Sequence, residues 1–188
     1  MDNKILCWLW PKKIGGSLMV VVGILGSDSS EMTDLFSRIC QEKGLTTLVS
    51  LYKTTGKDVI PVVCIDENNS TTLYVPPRVW ILQDTSEFGT YMTEHMSEHS
   101  YLVVNADSPV ISPPSCNGII TYGFNGKASV TASSITDGTL QVCIQRSFKS
   151  LGQHFYEPQE FKALCPQSVN PLNVLGAVTA CAVCDVLL

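Results

Sequence analysis

Residues 18–25 (Leu-Met-Val-Val-Val-Gly-Ile-Leu) constrain this chain more than any other segment, because they are apolar throughout except for one glycine. A strand without a polar face has to be covered on both sides, which calls for a layered α/β arrangement. The run is also far too short to span a bilayer. It ends in Gly26, Ser27, Asp28, Ser29 and Ser30. Gly26 suits a turn, the following residues are competent helix N-caps, and Glu31 adds favourable charge at a helix start. Met32, Leu35, Phe36, Ile39 and Cys40 then recur at helical spacing, and Gly44 suits the helix C-cap. Residues 45–51 read as a second strand. The opening is therefore a βαβ unit.

Further along, residues 59–65 and 79–82 read as strands separated by the polar turn 66–70, with Pro76 and Pro77 punctuating the approach to the second. Residues 86–99 read as a helix that leads into strand 101–105. Residues 118–122 form another short apolar strand with Gly123 just after it. Residues 129–135 and 139–144 alternate around Asp137 and Gly138, a strong hairpin signal. Residues 173–187 close the pattern as an apolar helix. The expected fold is α/β: an open, mostly parallel sheet with helices on both faces and an appended antiparallel hairpin. The 188 residues suit one domain over 18–188 preceded by an N-terminal extension, 1–17.

Composition narrows the function. The chain is 45% hydrophobic and 15% charged, which is globular rather than disordered. Its formal charge of −5, with Lys12 and Lys13 the one adjacent basic pair, argues against nucleic acid as a partner. Pro11, Lys12 and Lys13 interrupt the apolar start, so neither a secretion signal nor a membrane anchor is expected. The eight cysteines, several of them inside apolar runs, read as buried reduced thiols of a cytoplasmic protein.

Four collinear segments over about residues 18–188 resemble the central ATP-binding domain of the Mur ligase family. Residues 22–32 are similar to the family's strand, phosphate loop and helix. Residues 103–109 (Val-Val-Asn-Ala-Asp-Ser-Pro) are similar to its strand ending in N-x-D-D-P. Residues 119–124 are similar to its strand and glycine turn, followed by a hairpin. Residues 173–182 are similar to its H-N-V-x-N-A-x-A-A helix. The resemblance implies a P-loop-type fold with ATP and Mg²⁺ as cofactors, and points to Gly26, Ser27, Asp28, Ser29, Ser30, Asn105, Asp107 and Asn173 as cofactor-binding positions.

The sequence departs from that pattern where the chemistry is done. A phosphate loop needs a lysine to neutralise phosphate and a hydroxyl to ligate Mg²⁺. Ser30 stands at the lysine position and Glu31 at the first threonine, while Ser29 replaces a glycine. Gln83, or Asp84 one place along, stands where the resemblance implies an acidic Mg²⁺ ligand. In the last helix Leu172 and Gly176 replace a histidine and an asparagine, and the register leaves Asn170 and Asn173 as alternative leading asparagines. The family's T-N-x-x-x-D-H-L-D segment and its flanking domains have no counterpart.

Other motifs have plainer readings. His95-Met-Ser-Glu-His99 fits the H-x-x-E-H zinc signature of inverted zincins, but reads first as an exposed polar helix. Cys181 and Cys184 form a C-x-x-C near the end of an apolar helix, where burial opposes reactivity, and read as core. Gly126 and Lys127 read as turn residues rather than a phosphate loop. Nothing in the spacing around His154 supports a Ser–His–Asp triad.

The function expected is a non-catalytic, Mur-ligase-like binding or regulatory domain without a required cofactor. Its expected partner is a protein or a small anionic ligand, with weak nucleotide or anion binding at residues 26–30. The alternatives are an enzyme working in the same cleft, bordered by residues 27–30, 83–86, 105–107 and 122–124, and a metal-dependent function at His95 and His99.

Overall fold

The structure is a computed structural model that describes residues 19–53, 59–66, 77–84, 96–108 and 115–187. The apolar run forms strand β1 (Met19–Leu25), followed by helix α1 (Ser29–Glu42). Strands β2 (Thr46–Lys53), β3 (Val59–Asp66), β4 (Val79–Leu82), β5 (Tyr101–Asn105) and β6 (Gly118–Tyr122) come next. They are followed by β7 (Val130–Thr136), β8 (Gly138–Ile144), the short pair β9 (Phe148–Lys149) and β10 (Phe155–Tyr156), β11 (Gln159–Cys165) and helix α2 (Pro171–Val183).

Nine strands form one sheet in the order β11-β8-β7-β6-β5-β4-β1-β3-β2. Strands β1, β4, β5, β6 and β7 are parallel neighbours. Strand β3 runs against both β1 and β2, and β8 runs against both β7 and β11. Seven strands thus point one way, and β3 and β8 oppose them. The β1–α1–β2 unit is a widened form of the expected one: β2 runs in the direction of β1, but β3 occupies the place between them.

Strand β1 lies inside the sheet, and Val20, Val21, Val22, Ile24 and Leu25 are all buried, as a strand without a polar face requires. On one face of the sheet, Val22, Ile24, Ile81, Val103, Ile120 and Tyr122 pack with Met32, Phe36 and Cys40 of α1 and with the apolar residues of α2. On the other, Leu25, Trp80, Leu82, Leu102 and Val104 form a second cluster joined by Met96 and Cys116.

One expectation is corrected, at residues 96–99. Among the described residues, α1 and α2 pack together against one face of the sheet, and the expectation of helices on the other face falls on residues outside the described ones. The helix read over 86–99 falls largely outside the described residues, and its described end is not helical. There a turn at Glu98 and His99 is held by a contact between the Ser97 and Ser100 hydroxyls, 3.2 Å apart. Small hydroxyl residues compete with helix by bonding locally. The hairpin stands where it was read: Asp137 and Gly138 make its turn, with Gly138 at φ +76°, and it joins the parallel strands through the pairing of Val130 with Tyr122.

Strand β11 extends the sheet to an edge that the sequence reading left without a strand. The apolar but exposed Leu164 masks the alternation that Glu160 and Lys162 keep, and charged side chains are a common defence of sheet edges. No helix among the described residues is long and apolar enough to cross a membrane.

Candidate functional site

The carboxyl ends of β1, β4, β5 and β6 converge with the N-termini of α1 and α2, the place where open α/β sheets take ligands. Gly26 makes the turn out of β1 at φ +141°, a conformation that L side chains rarely adopt. A Cβ there would meet Gln83 Oε1 at 2.7 Å, so the turn lies directly on the Gln83 side chain. Ser27, Asp28 and Ser30 are exposed beyond it, and Ser29 is half-buried.

At the start of α1, the Ser29 amide donates to the Gly26 carbonyl (3.2 Å) and the Met32 amide to the Asp28 carbonyl (3.1 Å). Asp28 is the N-cap residue, yet its side chain accepts no capping bond. The amides of Ser30 and Glu31 find no acceptor among the described residues. The acidic and hydroxyl side chains of residues 26–30 therefore leave the helix start open, contrary to what their cap-forming character suggests.

Glu31, Asn173 and Gln83 form a chain across the cleft. Asn173 Nδ2 donates to Glu31 Oε2, and Gln83 Nε2 donates to Asn173 Oδ1 at 2.9 Å. Gln83 and Asn173 are buried. Gln83 Oε1 is also buried and has no hydrogen-bond partner. The two asparagines of α2 differ in place: Asn170 is the N-cap, accepting from the Leu172 amide at 3.0 Å, while Asn173 bonds to Glu31 and Gln83.

Asn105 and Asp107 are at the same end of the sheet, but both are engaged locally. Asn105 Nδ2 donates to the Gln83 carbonyl at 3.0 Å, and its Oδ1 accepts the Asp107 amide at 2.9 Å. The Asp107 carboxylate accepts the amides of Phe124 (2.7 Å) and Asn125 (3.1 Å) and the Asn125 side-chain amide (2.8 Å). Asn125 Nδ2 also donates to the Ala106 carbonyl at 2.6 Å. A ring of backbone amides that could hold an anion thus already holds the protein's own carboxylate. Asn125 was missed by sequence reasoning; the one available signal was its place before Gly126, which marks a turn and nothing more.

Tyr122 closes the floor of the cleft. It is fully buried, and its hydroxyl points to the Leu82 carbonyl at 3.5 Å. Burial, and then the Asp107 carboxylate, push its pKa well up. Tyr156 is likewise pushed up to about 12, by burial first and then by Asp185. An acid whose folded-state pKa is raised contributes stability that is full below its unfolded value, about 10, and is lost as pH rises through the folded value. Thermal midpoints are therefore expected to hold to about pH 8.5, where the unfolded thiols of the buried Cys181 and Cys184 begin to ionise, and to fall further between about pH 10 and pH 12. The Tyr156 hydroxyl has no hydrogen-bond partner, so Tyr156→Phe should flatten that fall without lowering the midpoint at pH 7. Midpoints followed by circular dichroism, alongside phenolate absorbance, check both.

Of the other motifs, His95 lies outside the described residues, and His99 is exposed with a 3.7 Å contact to Glu98. No group of three His, Cys, Asp or Glu among the described residues is arranged to hold a metal ion. Cys181 in α2 and Cys184 at its C-cap are buried, and burial pushes both thiols up, in line with their reading as core. Lys127 sits in the turn after β6, its amide donating to Asn125 Oδ1 at 2.8 Å.

Compared with known proteins, the chain matches no family model and no curated protein.

Proposed function

We propose that this chain is a non-catalytic binding domain of the Mur-ligase central-domain type, taking a small polar ligand at the 26–30 turn. The observation that carries the proposal is the chain Glu31–Asn173–Gln83. The resemblance assigns these three positions to a hydroxyl on Mg²⁺, an asparagine near the nucleotide and an acid on Mg²⁺. Here they bond to one another.

A carboxylate at the start of α1 satisfies the helix dipole from within and repels a polyphosphate. Losing the phosphate lysine and the metal-ligating hydroxyl removes two charge-assisted contacts of about 1.5–3 kcal/mol each, roughly two to four decades of nucleotide affinity. The open amides of Ser30 and Glu31 remain able to take one acceptor. A reducing, cytoplasmic setting accords with the free thiols of Cys40, Cys116, Cys143, Cys165, Cys181 and Cys184.

The expected result is no Mg²⁺-dependent ATP hydrolysis and no saturable ATP binding below millimolar concentration, about the range that the lost contacts imply. Hydrolysis in a clean preparation, abolished by Ser30→Arg, would overturn the proposal.

A further inference from the structure

Gln83 Oε1 is a buried acceptor without a donor, and such an atom costs about 1–3 kcal/mol unless something pairs with it. Its orientation is set from the far end of the amide chain. A carboxylate has no proton to give, so Glu31 takes the Nδ2 end of Asn173. Asn173 Oδ1 then faces Gln83 and takes Nε2, which turns Oε1 toward Gly26. Reversing both amides would set Asn173 Oδ1 against the Glu31 carboxylate, two acceptors with no hydrogen between them. A charge at Glu31 thus fixes the hydrogen-bond polarity of an atom two residues away in the chain of contacts.

The 26–30 turn therefore makes two demands at once. The open amides of Ser30 and Glu31 ask for an acceptor, and Gln83 Oε1 beneath Gly26 asks for a donor. A carboxylate answers only the first, because it carries acceptors alone when ionised. An ammonium answers only the second and opposes the helix dipole. A carboxamide carries a carbonyl acceptor and an N–H donor side by side and has no charge.

Resting on the reading of this turn as a ligand site, we propose that it binds a neutral carboxamide group, free or carried on a peptide, with Glu31 acting as a positioning residue through Asn173 and Gln83. Gln83 Oε1 lies against Gly26, where an added Cβ would meet it at 2.7 Å, and the exposed residues of the turn follow directly.

The test is an NMR titration of the amide resonances of residues 26–31 with acetamide, N-acetylglutaminamide and acetate. Saturable shifts are expected with either amide at concentrations about tenfold below those needed for acetate, the ratio expected for one mispaired buried polar group. A stronger response to N-acetylglutaminamide assigns the peptide-borne source, and a stronger response to acetamide the free one. Glu31→Gln, which can turn either end of its amide to Asn173, should reduce the preference to near unity while the fold is retained. Gln83→Met should abolish the amide response even if Glu31→Gln fails to fold.

If acetate shifts these resonances at lower concentration than the amides, the site stands and the polarity argument is overturned. If none of the three probes moves them, the turn is not a ligand site, and the proposal falls together with the reading beneath it.

Discussion

Trp80→Ala lowers the unfolding free energy by about 3–5 kcal/mol, the range for truncating a large buried aromatic side chain. Trp80 is fully buried in β4 and is the largest member of the cluster formed with Leu25, Leu82, Leu102 and Val104. Its ring packs on Gly23 of the neighbouring strand, where an added Cβ would lie 2.6 Å from ring carbon Cε3. The two positions are complementary: the absent side chain at Gly23 makes the space that the indole fills. Gly23→Ala is therefore also destabilising, and its cost should shrink in the Trp80→Ala background, because residues in contact do not add. Urea unfolding of the two single variants and the double variant measures both effects. Equal costs for Gly23→Ala in the two backgrounds would show that the ring does not hold this place.

Asn173→Leu is expected to cost about 2–4 kcal/mol, since it takes a partner from a carboxylate and leaves the buried Gln83 Nε2 without an acceptor. Glu31 is partly exposed and recovers water, so most of the loss falls on Gln83. Replacing both amides by apolar residues removes the orphaned group as well as the bond. The double variant Gln83→Leu/Asn173→Leu should accordingly be more stable than Asn173→Leu alone, by chemical denaturation. The opposite order would mean that the amide pair contributes through packing rather than through hydrogen bonding.

Much of the sheet could be read directly from the chain. Strands 79–82, 101–105 and 118–122 were read with the bounds the structure gives them, because central strands carry unbroken apolar runs. The edges were harder. At β11, the exposed Leu164 interrupts the pattern. The pairing of β3 between β1 and β2 depends on long-range contacts that no local pattern encodes. At the site, the residues singled out do gather at one end of the sheet, but their bonding was not legible. Asp107 stood in the sequence as a ligand residue, and in the fold it closes the 123–125 loop. Asp28 stood in the sequence as a competent helix N-cap, and in the fold its side chain accepts no capping bond, which leaves the helix start open. Type and spacing place a polar side chain at an end of the sheet, whereas its partner is decided by rotamers that the whole cleft sets together.

Helix α2 follows every strand of the sheet in the chain, yet it packs against α1 and shares the core face with β1. During synthesis the ribosome releases β1 and α1 first. The apolar surface they present to α2 then stays bare until residues 171–183 emerge, and exposed apolar surface of that kind is what chaperones and aggregation compete for. Arresting translation before α2 should therefore yield a nascent chain that is protease-sensitive throughout, rather than one with a protected N-terminal half.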